Sequence, residues 1–202
     1  DGEPDLTQYG ELTTDSLVDL LSLAKINTLT EEDVFLDIGS GSNIPSYAAS
    51  CMNHKMKLLG WENAPSRYAA SYAIKKKLSN IFPGKISRCI QQEKDILDVD
   101  TLDGIHTIYS FNRCMGQSVR YHIRYLVAKS KTVIRYISND KKCPEGFDFE
   151  FEYIAEISST DTKEQHTFYC FKRSLIPPVA CCYYPLKDDY PSMLKTVFKR
   201  TR

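Results

Sequence analysis

The stretch Asp33-Val34-Phe35-Leu36-Asp37-Ile38-Gly39-Ser40-Gly41-Ser42-Asn43 decides how this chain is read. A short apolar run stops at a carboxylate and passes into a glycine-rich turn, and Pro45 just beyond suits the first turn of a helix. Strand, turn and helix in that order form a loop that cradles a nucleotide. Gly39 and Gly41 have no Cβ, so the backbone can approach a ligand closely and adopt angles that other residues resist. Asp37 adds a fixed acceptor where a cationic amine can sit. A dinucleotide pyrophosphate is better served by bare amides, so the combination points to S-adenosylmethionine, whose methionyl end carries an ammonium. A tight turn between strand and helix, with no ligand, fits the same residues.

With 202 residues, 42% of them hydrophobic, the chain can bury a full core and is most economically one domain. Lys+Arg and Asp+Glu both total 26, so no global basic field announces nucleic acid as a direct partner, though a local patch remains open. The 7 cysteines form no Cys-x-x-Cys pair and their number is odd, which points away from a disulfide frame or zinc site and towards reduced thiols in an intracellular compartment. His54, His106, His122 and His166 stand apart and read as surface or packing residues, so no metal is expected. No apolar run approaches the ~18 residues of a membrane span, and no signal-peptide pattern opens the sequence.

Thr14-Asp15 can cap a helix carrying Leu17, Leu20, Leu21 and Ala24 at helical spacing. After the first strand and a helix from Pro45, residues 57–62 read as a second strand ending, like the first, at an acid. Pro65 opens a longer helix with Tyr68, Ala69, Tyr72, Ala73 and Leu78 inward and Lys75-Lys76-Lys77 as a solvated face. Strands are expected over 85–92, 103–110 and 131–137, with a helix over 118–129. Phe147, Phe149, Phe151 and Tyr153 then alternate with Asp148, Glu150 and Glu152, a period of two that argues a strand, and residues 165–172 return as its hairpin partner. Alternating strands and helices imply right-handed parallel crossovers, and the hairpin an antiparallel edge. The expected fold is therefore α/β, a Rossmann-like, mostly parallel seven-stranded sheet with an antiparallel edge hairpin, as in class I methyltransferases. Residues 1–32 lead into a domain over 33–174, and 175–202, rich in Pro and Tyr, form an extension packed on it.

In such a sheet, ligands bind beyond the carboxyl ends of the strands, where strand order reverses. Glu62 falls there, 21 residues after Gly41 and close to the ~20-residue offset of a ribose-binding carboxylate. Its replacement by Ala is expected to weaken donor binding with little loss of fold. Asp95 can accept from an adenine amine while Ile96 covers the ring, or can cap its loop. Phe111-Asn112 ends the fourth strand, beside the transferred methyl, and Asn112 fits a helix cap equally well.

Tyr9-Gly10-Glu11, an amphipathic helix, Asp37-Ile38-Gly39-Ser40-Gly41, Gly60-Trp61-Glu62-Asn63-Ala64-Pro65 with Arg67-Tyr68-Ala69, Asp95, and Phe111-Asn112 to Gly116 occur in this order. Together they resemble the Dot-type (disruptor of telomeric silencing) histone-lysine methyltransferases over roughly residues 8–172. The resemblance implies transfer of a methyl from S-adenosylmethionine, leaving S-adenosylhomocysteine, to a core-histone lysine in the nucleosome. It implies a nuclear location, and the zero net charge leaves room for only weak local contacts to nucleic acid. By position, Tyr9 and Glu11 would cover the methionyl end, Asp37 and Gly39 hold it, Glu62 bind the ribose, and Asp95 with Ile96 the adenine. Asn112, or Phe111, would match the paired asparagines that end the family's fourth strand. Tyr169 would be the aromatic of the lysine channel, with registers competing over 166–169. The chain departs from the pattern at Asn43, which stands near the family's third loop glycine, and in carrying one asparagine of the pair. A small-molecule or other protein methyltransferase, or a silent scaffold binding cofactor or nucleosome, shares many of these features. Pro177-Pro178 comes too late for the Asn/Asp-Pro-Pro-aromatic sequence of adenine-amino methyltransferases.

Overall fold

The computed structural model describes residues 12–53, 55–144, 149–158 and 165–174. Within them lies a 7-stranded sheet of order β3-β2-β1-β4-β5-β7-β6. Its strands are β1 (Val34–Ile38), β2 (Lys57–Glu62), β3 (Cys89–Glu93), β4 (Thr107–Ser110), β5 (Arg135–Ser138), β6 (Phe149–Ser158) and β7 (Gln165–Arg173). β1 to β5 are parallel, whereas β7 is antiparallel to both β5 and β6. The helices are α1 (Thr14–Leu23), α2 (Ile44–Met52), α3 (Pro65–Ile81), the single turn α4 (Pro83–Ile86) and α5 (Gln117–Lys129). The order reverses between β1 and β4, so their carboxyl ends diverge and leave a crevice there.

Each face of the sheet carries its own core. Phe35, Leu58, Tyr109, Ile137, Phe168 and Cys170 pack with Leu17, Leu20 and Leu21 of α1 and Tyr47 and Ala49 of α2. Leu36, Ile38, Ile108, Tyr136 and Phe171 pack on the opposite face with Ile123, Leu126 and Val127 of α5. Both faces of the central strands are covered, which is why β1 reads as an apolar run without alternation. Helix α1 begins at Thr13, whose hydroxyl accepts from the Ser16 N–H, and the Thr13 N–H donates to the Ser158 carbonyl at 3.0 Å. That bond joins the segment entering the cofactor loop to the far edge of the sheet.

The structure corrects several expectations. β3, β4 and β5 are shorter than their hydrophobic patterns, because Pro83 to Ile86 turns as a helix and β4 and β5 are preceded by loops. Helix α3 is rotated from its expected orientation. Ser71, Ile74 and Leu78 face inward, whereas Ala69 and Ala73 are exposed and Tyr72 is 63% exposed. Lys75 does not lie on a solvated face, since its Nζ donates to the Cys89 carbonyl. The start of the first hairpin strand at Phe147 and the C-terminal extension over 175–202 lie outside the described residues.

Candidate active site

Hydrogen bonds from its own N–H groups hold the glycine loop at the crevice. The Gly39 and Ser40 N–H groups both donate to the Trp61 carbonyl, at 2.9 and 3.0 Å, and the Asn43 N–H donates to the Ser40 carbonyl at 2.6 Å. From the other side Glu62 reaches into the loop, its Oε2 accepting from the Gly41 N–H at 2.8 Å and its Oε1 from the Ala64 N–H at 3.0 Å. Gly39 (φ 70), Gly41 (φ 50) and Asn43 (φ 64) all take left-handed backbone angles. Asn tolerates that region better than any other residue with a side chain apart from Asp and His, so the departure at Asn43 preserves the turn. Gly60 completes the arrangement on β2, because a Cβ there would overlap the Asn43 amide.

Beside this loop lies a cavity of about 300 Å³. Asp37, Gly39, Glu62, Asp95 and Ile96 all line it, so residues separated by up to fifty-nine positions meet there. Asp37 is buried, and its Oδ2 has no hydrogen-bond partner in the described structure. Burial, and then the negative charge of Glu62, push its carboxyl well above the usual carboxylate range. A buried carboxyl in this condition keeps its proton unless a cation is placed against it. Glu62 already accepts two backbone N–H groups, yet a carboxylate has about four acceptor positions and can still receive hydroxyls. Loss of Glu62 would therefore leave the Gly41 N–H of the loop and the Ala64 N–H without their acceptor, which bears on the expectation of little effect on the fold. Asp95 does cap its loop, with Oδ1 accepting from the Leu97 N–H at 2.9 Å and Oδ2 from the Asn63 amide at 3.3 Å. It lines the cavity as well, so capping and ligand contact are compatible. Trp61, whose indole N–H donates to Gln92 at 2.8 Å, lies under the Lys94 ammonium 4.2 Å from its ring centroid, and both line the same wall.

At the other end of the cavity, the two candidate polar and aromatic residues are placed differently from expectation. Asn112 is buried, and its Nδ2 donates to the Tyr136 hydroxyl at 3.1 Å and the Ser138 hydroxyl at 2.8 Å, while its Oδ1 accepts from Ser110. Both amide protons are thus engaged inside the sheet, and Asn112 fastens the end of β4 to β5 rather than facing the cavity. Phe111 does line the cavity. Tyr169 is on the wrong face of β7, stacked on Phe171 with centroids 6.4 Å apart. The hairpin register, which pairs Ser138 with Tyr169, puts the even-numbered residues towards Phe111 instead. His166 meets the Phe111 ring edge-on at 5.1 Å, and Phe168 lies 5.4 Å from it. Sequence reading also missed Arg113, Cys114 and Met115, which line the cavity after β4, with Arg113 Nη1 3.3 Å from His166 Nε2. No periodicity marks a short turn of this kind. Tyr9 and Glu11 lie outside the described residues. Among those described, no cluster of His, Cys, Asp or Glu could hold a metal ion, and no helix is long and apolar enough to cross a membrane.

The sequence matches the family described as histone methylation protein DOT1 over residues 6–172. The chain belongs to the DOT1 family. Within that family assignment the sheet is that of a class I S-adenosylmethionine-dependent methyltransferase, as solved structures of the same architecture show. An RNA methyltransferase from Salinibacter ruber, in complex with S-adenosyl-L-homocysteine, has a TM-score of 0.59 at 17% identity, covering 84% of this chain and 97% of that one. Magnesium protoporphyrin IX methyltransferase from Synechocystis, with bound S-adenosylhomocysteine, has a TM-score of 0.54 at 12% identity, over 80% and 82%. A SAM-dependent methyltransferase from Aquifex aeolicus has a TM-score of 0.51 at 13% identity, over 77% and 90%. At these identities the likeness is one of fold alone. Comparison with curated proteins gives no match. The DOT1 match spans every residue of the cavity described above, from Leu12 to Val119.

Proposed function

We propose that this DOT1-family chain is an S-adenosylmethionine-dependent methyltransferase that modifies a lysine of a core histone in the nucleosome, in the nucleus. The observation that carries the donor half is the buried, unpartnered Asp37 oxygen beside a glycine loop. The family match over residues 6–172 supports the histone half.

When bound, S-adenosylmethionine supplies a methyl on a sulfonium, and S-adenosylhomocysteine is left after transfer. Asp37 accepts from the methionyl ammonium, and Gly39 and Gly41 let the backbone lie against it. Tyr9 and Glu11 are assigned to the same methionyl end. Glu62 receives the ribose hydroxyls while holding the loop, Asp95 takes the adenine amine, and Ile96 covers the ring. Phe111, supported by Phe168 and His166, walls the acceptor end with aromatic surface. Exclusion of water there favours a neutral lysine amine, which the wall aligns, and positioning does most of the work. Asn112, bonded to Ser110, Tyr136 and Ser138, holds the end of β4 next to Phe111.

Labelled donor offered with nucleosomes, free histones, RNA and a metabolite pool tests this reading. Label should enter a histone lysine, faster on nucleosomes than on free histone. Label in RNA or a metabolite would overturn the histone half alone, and donor binding without transfer to any acceptor would leave a silent scaffold.

A further inference from the structure

A second groove, of about 530 Å³, lies at the opposite end of the sheet from the cofactor cavity, where α5 ends and β5 begins. Tyr121, Tyr125 and Lys129 follow one another at four-residue spacing and so share one face of α5. The two tyrosines are 53% and 50% exposed. Lys131 and Arg173 complete the cationic wall, and no carboxylate lines the groove. None of Lys129, Lys131 and Arg173 is in a salt bridge among the described residues. Arg173 donates through Nη2 to the Val127 carbonyl at 3.2 Å, at the end of α5, and stacks on Phe149, while its Nε has no partner. Arg124, only 5% exposed, also lines the groove; it pairs with Asp140, and its Nε too has no partner. Asp103, whose carboxylate feels the charge of Lys131, accepts the Ser130 hydroxyl and the Lys131 N–H on one oxygen.

In a chain of zero net charge, three cations outside any described salt bridge beside two half-exposed rings are a local departure, with the Lys129 ammonium 5.8 Å from the Tyr125 centroid and 3.5 Å from the Asp100 carbonyl. We infer that the groove binds single-stranded nucleic acid. Its phosphates meet Lys129, Lys131 and Arg173, and two bases stack on Tyr121 and Tyr125. Cations that track a backbone and aromatic faces that accept any base are the two components of such sites. An acidic peptide would use the cations and leave the rings without a role. A duplex, with its bases stacked inside, has no use for the rings either and demands a broader basic face. The groove lies away from the cofactor cavity, so the inference stands apart from the proposed reaction.

Fluorescence anisotropy of a labelled oligouridylate on the full chain tests it, with an equal-length duplex and a polyglutamate peptide as competitors. The single strand should bind and resist both competitors. The double variant Tyr121→Ala/Tyr125→Ala should weaken it by about thirtyfold or more, since each of two stacked bases contributes on the order of 1–3 kcal/mol. Lys129→Gln/Lys131→Gln should weaken it and flatten the slope of log affinity against log salt by roughly 1.4, at about 0.7 per phosphate. Unchanged melting temperatures certify the folds of these surface variants. No binding, affinity in the tyrosine variant equal to the wild type, or displacement by polyglutamate or duplex would overturn the inference.

Discussion

Asp37, with an unpartnered oxygen, and Glu62, whose two oxygens each accept a backbone N–H, sit in one cavity, and each makes a prediction. Asp37 holds its proton more tightly in the donor-free folded chain than in the unfolded one, where a carboxyl titrates near 3.9. Its contribution to stability is therefore fully present below about pH 4 and is lost as pH rises through the raised folded value. Asp37→Asn removes that loss, so in thermal melts the wild type should fall relative to the variant as pH increases from about 4. The same substitution should weaken donor binding by roughly 1.5–3 kcal/mol, because a charge-assisted contact to the ammonium is gone. A difference in melting temperature that ignores pH would show that Asp37 titrates normally. Glu62→Gln is a different test. One carboxylate oxygen becomes an amide NH2 facing the N–H of Gly41 or Ala64, which leaves a buried donor unpaired at a cost of about 1–3 kcal/mol. Both the melting temperature and donor affinity by calorimetry should drop; a fall in affinity with unaltered melting would mean that Glu62 touches ribose without holding the loop.

At the scale of elements, the closing hairpin is tied to the parallel sheet by a charge pair. Arg135 on β5, itself buried, donates to Glu152 on β6 at 3.1 Å, reaching across β7, and Lys25 after α1 lies 3.8 Å from the same carboxylate. Burial works against ionisation of Glu152, but the hydrogen bond and charge of Arg135 outweigh it and keep the carboxyl below its usual range. A depressed carboxyl stabilises above the unfolded value, near 4.3, and loses that contribution as pH falls through the folded value. Glu152→Gln should thus destabilise by about 1–2 kcal/mol at neutral pH, a figure kept low because Glu152 is partly exposed. Denaturant melts should show the gap between variant and wild type closing under acid. If the gap persists unchanged at low pH, the pair does not fasten the hairpin. That hairpin matters to the site because its register sets which residues of β7 reach Phe111.

For the molecule as a whole, zero net charge limits how a nucleosome can be engaged. Basic residues gathered at 195–202, outside the described structure, would supply a few local contacts, each phosphate adding about 0.9 to the salt slope. Removing 195–202 should lower turnover on nucleosomes while donor affinity stays put, and turnover on free histone indifferent to salt and truncation would argue against the nucleosome. Local chemistry by itself determined the glycine loop, both terminal acids and the alternation of strands and helices, because backbone angles, apolar runs and period-two patterns are properties of adjacent residues. The same is true of the seven-strand layout, which follows from that alternation and from chain handedness. Only the tertiary structure decided that Asn112 turns into the sheet, where Tyr136 and Ser138 come from a strand more than twenty positions away. It alone decided that Phe168 and His166, not Tyr169, reach Phe111, since a shift of one residue in strand pairing exchanges the two faces and no local pattern fixes that register. It also placed Glu62 on the Gly41 amide, a bond across twenty-one residues that no spacing rule contains.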